Sequence, residues 1–234
     1  MSTPPGSAHA DADDPPGTAQ FACGQTLFTQ GEPGDRVYLI VEGKVKISLG
    51  GSNGRTNVRA ILGPSDIVGE LAVFDPGPRS CTATAITDVR ALWLDRAALR
   101  GLMARQPAIA EQLLQALTQR VRETEEQLVE LVSSDVAARV ARQLLALSRR
   151  FGAPEGDALR VTYELSQEEL AQLVGADRAS VNKALRSFTA RGWIQLQGKS
   201  LVVTDAEALA RRSGTGDRTG PDPNRRRRPL RASA

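Results

Sequence analysis

The spacing of apolar residues changes at Asp95, and this change most limits what the chain can fold into. Before it, short apolar or β-branched runs are separated by Gly, Pro and Asp turns, which is typical of the short strands of a sandwich or barrel. After it, apolar residues recur every three or four positions, which is typical of helices. The sequence therefore predicts an α+β fold in which a β domain precedes helices.

Six apolar runs make up the predicted β region between residues 21 and 94. They are Thr26–Phe28, Val37–Val41, Val45–Leu49, Val58–Leu62, Cys81–Ala85 and Val89–Leu94. In the third run Val45, Ile47 and Leu49 alternate with polar residues, as expected for a half-buried strand.

A long helix is predicted after this region. Asp95 is the expected N-cap of a short helix over 96–104, and Pro107 opens a longer helix to about Val132. Small or apolar residues on it alternate spacings of four and three, with one polar exception: Ala110, Leu114, Leu117, Val121, Thr124, Leu128 and Leu131. This spacing indicates a coiled-coil seam in a parallel homodimer, and the alternative is a helix packed on its own barrel. A polar residue in such a seam usually costs stability, so Thr124 is expected to have a role there, for example in fixing the register of the helices or in binding a ligand.

The segment Ser133-Ser134-Asp135 interrupts the helix and predicts a hinge. Asp135 is the expected N-cap of a further helix from Val136 to about Arg150, ended by Gly152. A Gly/Pro loop over 152–158 and a strand over 159–163 are expected to follow.

Residues 166–191 have the pattern of a helix-turn-helix. Ser166 and Glu169 predict a capping box for a helix over 167–174, and Gly175 suits a left-handed turn. A second helix is expected over about 178–191, followed by a β-hairpin wing from Trp193 to Val203.

The second helix is expected to lie in the major groove, with Arg178 on a guanine O6/N7 pair. Residues of the wing are expected to contact phosphates, which gives affinity without sequence information. The predicted DNA-binding residues are Ser166, Arg178, Ser180, Asn182, Lys183, Lys199 and Ser200. The alternative is that the charges only solvate a small domain, but Val181, Ala184, Leu185 and Phe188 already define an opposite, packed face.

The segment from Gly69 to Ser80 predicts an anion pocket between two strands. Gly69 allows close backbone approach, and residues 70–73 can form one helical turn whose amides face an anion. Arg79 adds a fork of donors, Ser80 adds a hydroxyl, and Glu70 can accept a hydrogen bond from a sugar hydroxyl. The alternative is a surface loop in which Arg79 pairs with Glu70 or Asp75.

Cysteine and histidine are scarce, and this excludes most catalytic classes. Two Cys and one His, His9, do not suffice for a disulfide framework, a four-Cys zinc site or a Ser-His or Cys-His catalytic pair. No apolar run of about 18 residues is present, and no secretory signal is recognisable. The sequence therefore predicts a cytoplasmic protein that is not an enzyme, binds no metal and does not enter a membrane.

The net charge of +3 comes from the two ends of the chain. Residues 1–20 carry −3 and residues 211–234 carry +6, and both segments have the composition of disordered chain. The run Arg225–Arg228 is either part of a solvated tail or a segment that binds nucleic-acid phosphates without sequence preference. Residues 171–204 carry +4, as expected of a DNA-binding surface.

The order of β region, seam helix, hinge and winged helix resembles the cyclic-AMP receptor protein and fumarate-nitrate regulator (CRP/FNR) family of bacterial transcription regulators. The resemblance covers about residues 24–209 and is closest to CRP-type proteins of high-GC bacteria, which fits 26 Arg against four Lys. Its motifs are Gly31-Glu-Pro-Gly-Asp35, Gly69-Glu70 with Arg79-Ser80, the seam helix through Thr124, Leu165–Gly175 and Val181–Leu185.

The resemblance implies a domain order. The expected segments are a disordered N-terminal stretch over 1–20, a jelly-roll-like β-roll that binds a cyclic nucleotide over 21–106, a dimerisation helix over 107–133, a winged helix-turn-helix over 134–209 and a basic disordered tail over 210–234.

The resemblance also implies a ligand and partners. Cyclic AMP, with cyclic GMP as a further candidate, would bind inside the barrel, with Arg79 and Ser80 on the phosphate and Glu70 on the ribose 2′-hydroxyl. Arg120 would pair with Glu70, and Thr124 would reach the adenine. A homodimer would bind a pseudo-palindromic DNA duplex, and RNA polymerase would be a further partner, facing the 152–158 loop by its position in the family. Ligand binding would shift the hinge near Ser134 and reorient the DNA-reading helices.

Three departures from the family pattern affect these expectations. Glu125 replaces an uncharged polar residue that contacts the adenine from the other subunit, which is expected to lower cAMP affinity or change base preference. Arg178-Ala179-Ser180 replaces Arg-Glu-Thr, so one base contact is missing. Residues 1–20 replace N-terminal helices. The alternative function is therefore a CRP-like regulator with a weakened effector pocket that binds DNA without cAMP.

Two other functions fit the sequence less well. A cupin-like barrel enzyme needs a cluster of metal-ligating histidines that the sequence lacks. A nucleotide-sensing subunit without a DNA role is disfavoured by the helix-turn-helix pattern.

Overall fold

The computed structural model of this chain describes residues 16–51, 56–156, 158–162, 164–198 and 200–214. These residues form two compact units. The first contains the described residues up to Ser133 together with Glu164–Arg178, and the second contains the other described residues from Ser134 onward. The first division falls at the predicted hinge.

The described residues hold twelve strands and seven helices. The strands are β1 (Gly17–Phe21), β2 (Thr26–Phe28), β3 (Arg36–Glu42), β4 (Val45–Gly50), β5 (Thr56–Leu62), β6 (Ile67–Val68), β7 (Thr82–Ala85), β8 (Val89–Asp95), β9 (Gly152–Glu155), β10 (Ala158–Thr162), β11 (Ile194–Gln197) and β12 (Ser200–Val203). The helices are α1 (Glu70–Phe74), α2 (Arg96–Arg105), α3 (Pro107–Ser133), α4 (Val136–Phe151), α5 (Gln167–Leu173), α6 (Arg178–Ala190) and α7 (Ala206–Arg212).

The first eight strands form a β-roll of two antiparallel four-stranded sheets, in the orders β1-β8-β3-β6 and β2-β7-β4-β5. Their inward side chains form one apolar core that includes the buried Ile40, Val45, Ala83 and Ala91. The predicted α+β fold is confirmed, with the β-roll first, the long helix next and the helix-turn-helix last.

A second, smaller core joins α1, α2 and α3 to the β-roll. It consists of Val37 on β3, Val73 on α1, Leu99 on α2 and Leu113 on α3. The predicted N-cap of α2 is also confirmed, because the Asp95 side chain accepts a hydrogen bond from the Ala98 N–H at 2.8 Å. The short helix α1 and the long helix α3 are therefore packed through the same few side chains.

The predicted seam of α3 stays exposed in the single chain. Leu113 is buried on the β-roll side, but the seam residues Leu114, Val121 and Leu128 are 63%, 57% and 59% exposed. These three side chains do not pack on the chain's own barrel. The alternative to a dimer seam, a helix packed on its own barrel, therefore does not hold for them.

The second unit contains the sheet β11-β12-β10-β9, helices α4 and α7, and α6 from Ala179 onward. Asp135 caps α4 as predicted, since its side chain accepts a hydrogen bond from the Ala138 N–H at 2.8 Å. Arg212 also donates to both carboxylate oxygens of Asp135, at 2.7 and 2.8 Å. The hydrogen bonds from Arg212, and then that from Ala138, lower the pKa of Asp135. This ion pair ties the start of α4 to the end of α7.

Three boundaries predicted from the sequence are wrong. Residues 17–20 were expected to be disordered, but they belong to β1, which pairs with β8 and turns Ala19 and Phe21 onto the core. The expected loop over 152–158 contains β9, which pairs with β10. The expected tail from residue 210 begins inside α7, where Leu209 is fully buried. The strands β1 and β9 carry few apolar residues and form because a neighbouring strand supplies the pairing.

Other predictions lie outside the described residues. They concern residues 1–15, the basic tail from 215 to 234 and Lys199 of the wing. In the described part of the chain, no helix has the length and apolarity needed to cross a bilayer.

Candidate functional site

The predicted anion pocket begins at Gly69, which precedes α1. Gly69 has φ +87°, in the left-handed region that favours glycine. A β-carbon at Gly69 would lie 2.5 Å from Arg79 Nη1. Arg79 Nη1 instead donates a hydrogen bond to the Gly69 carbonyl at 2.9 Å. Glycine is therefore required for Arg79 to reach the backbone at the start of α1.

The turn over residues 31–35 positions Arg79 from the other side. The Gly31 N–H donates to the Arg79 carbonyl at 2.9 Å, and the Arg79 N–H donates to the Glu32 carbonyl at 2.7 Å. A β-carbon at Gly34 would lie 2.6 Å from Ala72 Cβ and 2.7 Å from Arg79 Nε. The Gly-Glu-Pro-Gly-Asp motif therefore holds the backbone of Arg79 and leaves room for its side chain.

The side chain of Arg79 is buried, with 5% of the residue exposed. Its guanidinium lies over the ring of Phe28, with Cζ 4.2 Å from the ring centroid. Among the described residues, Arg79 Nε is a buried donor that has no hydrogen-bond partner. Burial lowers the pKa of Arg79, while Tyr38 and Asp35 act to raise it. Because an arginine remains protonated, this arrangement is a buried cation with a donor that can serve an incoming anion.

Glu70 and Arg120 connect the pocket to α3. Glu70, the first residue of α1, is buried, and its Oε1 accepts a hydrogen bond from Arg120 Nη1 at 2.6 Å. Arg120 Nη2 also donates to the Ile67 carbonyl at 3.3 Å. The expected pairing of Glu70 with Arg120 is therefore present, and the alternative in which Glu70 is the partner of Arg79 is not adopted.

The remaining predicted pocket residues, Ser80, Thr124 and Glu125, differ in exposure. Ser80 is exposed next to Arg79. Thr124 is half-buried, and its hydroxyl donates to the Arg120 carbonyl of its own helix at 2.8 Å. Glu125 is exposed. The structure thus brings together Gly69, Glu70, Arg79 and Arg120, while Thr124 lies one helical turn beyond Arg120.

Phe28 and Gly34 were not assigned to the site from the sequence. Phe28 contacts Arg79 because β2 pairs with β7, placing Phe28 opposite Ala83. No local pattern reveals a contact between residues so far apart in sequence. Gly34 is the second glycine of the Gly-Glu-Pro-Gly-Asp motif, which the resemblance singled out. That motif was the available signal for its place in the site.

The chemistry of this site is binding rather than catalysis. It offers a guanidinium to an anion and a buried carboxylate to a hydroxyl group. Within the described ranges, no three His, Cys, Asp or Glu side chains are placed to hold a metal ion.

The second candidate site is the segment from Ser166 to Ala190. The predicted capping box is confirmed, because the Glu169 N–H donates to Ser166 Oγ at 3.1 Å and the Ser166 N–H donates to Glu169 Oε2 at 2.8 Å. Gly175 has φ +61° in the turn before α6. On α6, one face is buried, consisting of Val181, Ala184, Leu185 and Phe188.

The predicted DNA-binding side chains have unequal exposure. Arg178 and Lys183 are exposed, and Ser180 is half-buried. Asn182 is also half-buried rather than exposed, since it follows the buried Val181 and its Oδ1 lies inside the protein. On the wing, Ser200 Oγ lies 3.4 Å from Thr162 Oγ1. Among the predicted DNA-binding residues of α6, the exposed donors are therefore Arg178 and Lys183.

Two family models match this chain. A model described as a cyclic nucleotide-binding domain matches residues 18–106, and a model described as a Crp-like helix-turn-helix domain matches residues 138–212. The first range contains Gly69, Glu70 and Arg79, and the second contains α5, α6 and the wing.

The proteins that are similar to this chain in sequence or structure include transcription regulators. The chain is 56% identical over 193 residues to a CRP-like cAMP-activated global transcriptional regulator of Mycobacterium tuberculosis, covering 82% of this chain and 86% of the relative. It is 32% identical over 186 residues to the cyclic AMP receptor protein of Thermus thermophilus, covering 80% and 83%. A solved transcriptional regulator of the CRP/FNR family from Thermus thermophilus matches with a TM-score of 0.72 and 26% identity, covering 85% of this chain and 98% of that chain.

Proposed function

This chain belongs to the CRP/FNR family of DNA-binding transcription regulators, and from that premise we propose that it is a homodimer controlled by a cyclic nucleotide, with cAMP as the effector. Its relatives are transcription regulators rather than enzymes. The observation that carries the proposal is the buried guanidinium of Arg79, whose Nε–H lacks a partner among the described residues.

In the proposed complex, Arg79 and Ser80 hold the cyclic phosphate. Glu70 accepts a hydrogen bond from the ribose 2′-hydroxyl, and Arg120 fixes Glu70 in place through their 2.6 Å contact. Thr124 reaches the adenine when its hydroxyl turns from the backbone of its own helix. A ligand held in this way contacts both α1 and α3, which the small core around Val73 and Leu113 already joins.

The seam of α3 provides the proposed dimer interface. Its exposed Leu114, Val121 and Leu128 would pack against the same residues of a second copy. The nucleotide would therefore bind beside the dimer helix, and Glu125, next to Thr124, would lie near the partner's pocket. The effect of the nucleotide on DNA binding is limited by its difference in affinity for the two conformations.

The alternative of a weakened pocket that leaves DNA binding independent of cAMP is not favoured. The pocket keeps Gly69, Glu70, Arg79 and the Glu70–Arg120 pair. The relative with 56% identity is named as cAMP-activated. Glu125 is then expected to tune affinity or base preference.

The proposal for DNA places α6 in the major groove, with Arg178 on a guanine and the wing on the backbone. A dimer would read two half-sites about one helical turn apart, on a pseudo-palindromic duplex. RNA polymerase is a further proposed partner, through the surface that includes β9.

The experiment first selects a duplex from a random pool of sequences in the presence of the full chain and cAMP. A mobility-shift assay then measures the affinity of the full chain for the selected duplex. Tight binding is expected with cAMP, weaker binding without a nucleotide, and an intermediate or weak response with cGMP. Equal affinity with and without cAMP would overturn the proposed control.

The variant Arg178→Ala tests the DNA-reading part of this proposal. Loss of one bidentate guanine contact is expected to cost roughly 1–3 kcal/mol on the selected duplex. Binding to an unrelated duplex should weaken less, so the ratio of the two affinities falls. Arg90→Ala, which removes the exposed ion pair of Arg90 with Glu42 on the β-roll, is a control that should keep the ratio. An unchanged ratio in Arg178→Ala would contradict the assignment.

A further inference from the structure

The excess positive charge of this chain is concentrated in residues 215–234, which follow α7 and are called the basic tail below. Residues 21–210 hold 22 Lys and Arg against 22 Asp and Glu, whereas the basic tail holds six Arg against two Asp, a net charge of +4. Five of these arginines, Arg225–Arg228 and Arg231, lie in residues 225–234, which contain no acidic residue. A general preference for arginine does not explain this excess, because acids balance the cations over 21–210.

The basic tail lies outside the described residues, and the structure gives the point from which it leaves. Leu209 of α7 is fully buried, and Arg142 of α4 donates a hydrogen bond to the Ser213 carbonyl at 2.6 Å. Helix α7 belongs to the same compact unit as the wing and α6 from Ala179 onward. The basic tail is therefore attached to the unit that carries most of the proposed DNA-reading helix.

Helix α7 is joined to the base of the wing. The N–H groups of Thr204 and Asp205 both donate to the Trp193 carbonyl, at 3.0 and 3.1 Å, and Asp205 is the N-cap of α7. Trp193 directly precedes β11, and it lines one cavity with Arg211 near the end of α7. The basic tail thus begins near the base of the hairpin that is proposed to contact phosphates.

Two described cations extend the basic surface at this place. Arg191 is exposed, and its Cζ lies 5.1 Å from the centroid of the Trp193 ring. The side chain of Arg211 is 67% exposed, and its contact with Glu207 is 3.6 Å long and open to solvent. Such an exposed pair contributes little energy, so both guanidinium groups are accessible to an anionic partner.

The basic tail is long enough to reach DNA from the end of α7. A chain spans at most about 3.3–3.6 Å per residue, so the segment from Gly214 to Arg225 spans up to about 36–40 Å. A compact unit of this size has a radius of gyration of about 11 Å and is roughly 30 Å across. Arg225–Arg228 can therefore reach phosphates beyond those that the unit itself covers.

The composition of the basic tail fits a phosphate backbone better than a membrane surface. Its one large apolar side chain is Leu230, whereas segments that lie on a membrane combine cations with several apolar residues. Arginine donates paired hydrogen bonds to phosphate oxygens. Duplex DNA carries one charge per about 1.7 Å of its axis, so consecutive arginines meet phosphates in any sequence.

We infer that the basic tail is a second DNA contact of this protein, which binds phosphates beside the duplex segment under the winged helix without reading the sequence. Because one chain carries both contacts, binding at one raises the local concentration of DNA at the other. The basic tail adds affinity for every duplex and leaves the choice of sequence to α6. This inference goes beyond the proposed function, since it needs DNA but no nucleotide.

A five-glutamine variant of the full chain tests the basic tail. Its substitutions are Arg225→Gln, Arg226→Gln, Arg227→Gln, Arg228→Gln and Arg231→Gln. Each lost phosphate contact removes about 0.9 from the slope of log K against log salt concentration, so the slope for an unrelated duplex should become shallower by about 3–5 per chain. The affinity for that duplex at low salt should fall at least about 10-fold. Fluorescence anisotropy over a salt series without nucleotide measures both quantities.

Two further variants are matched to this one. A five-lysine variant at the same positions keeps the charge and should keep the steep slope. Asp217→Asn/Asp222→Asn raises the charge of the basic tail by two and should tighten binding to the unrelated duplex at low salt. In the five-glutamine variant the ratio of affinities for the selected and the unrelated duplex should stay at the wild-type value, in contrast to Arg178→Ala.

An unchanged salt slope in the five-glutamine variant would overturn the inference, and so would an equal loss of slope in the five-lysine variant. An unchanged slope together with lost binding to vesicles that contain phosphatidylserine would assign the basic tail to a membrane surface instead. A wild type whose DNA binding does not respond to cAMP would contradict the proposed control. The salt slope measured without nucleotide would still decide the role of the basic tail.

Discussion

Replacing Arg79 by alanine is expected to weaken cAMP binding by at least about 100-fold, which corresponds to roughly 3 kcal/mol. The residue is 5% exposed and donates to the Gly69 carbonyl, and its Nε–H has no partner among the described residues. Removing one member of a buried, hydrogen-bonded charge pair typically costs about 2–5 kcal/mol. Isothermal calorimetry with cAMP measures the change directly.

Arg79→Lys is expected to lose most of the same affinity, because an ammonium group does not supply the planar fork of donors. Arg90→Ala, on the outer part of the β-roll, should bind cAMP as the wild type does. Circular dichroism of each variant checks that the β-roll remains folded. A folded Arg79→Ala protein with wild-type cAMP affinity would remove Arg79 from the site.

The double variant Val121→Glu/Leu128→Glu is expected to be monomeric. Both residues lie on the predicted seam and are more than half exposed in the single chain. A dimer would lose four apolar side chains, each worth about 1.5–3 kcal/mol when fully buried, so the dimer should weaken by more than about 10⁴-fold. Glutamates facing each other across the seam add repulsion. Sedimentation equilibrium measures the result.

Gln112→Glu/Gln115→Glu is the matched control, because it adds the same charge to exposed positions of α3 away from the seam. This control should remain a dimer. A seam variant that stays dimeric at the same concentration would show that subunits meet through another surface, and the proposed contact between nucleotide and dimer helix would then be wrong.

Local patterns in the sequence are sufficient to predict much of the fold. Asp95 and Asp135 were predicted as N-caps, and each accepts a hydrogen bond from the residue three positions on. The Ser166–Glu169 capping box was likewise visible, because a cap depends on residues within one helical turn. In contrast, β1 turns only Ala19 and Phe21 onto the core, so its identity depends on pairing with β8.

The candidate pocket was predictable in part for the same reason. Gly69, Glu70 and Arg79 lie in one short segment, and the pairing of Glu70 with Arg120 was implied by family resemblance. The position of Phe28 under Arg79 depends on the pairing of β2 with β7. The contact between Lys46 and Glu169 joins residues separated by 123 positions, and no local pattern predicts it.

The most direct test of the central claim is a calorimetric titration of the full chain with cAMP, alone and in the presence of the selected duplex. If the nucleotide pocket and DNA binding are coupled, cAMP binds with measurable heat, and the duplex tightens cAMP binding by the same factor by which cAMP tightens duplex binding. Absence of heat with both cAMP and cGMP, or a cAMP affinity that the duplex leaves unchanged, would contradict the account.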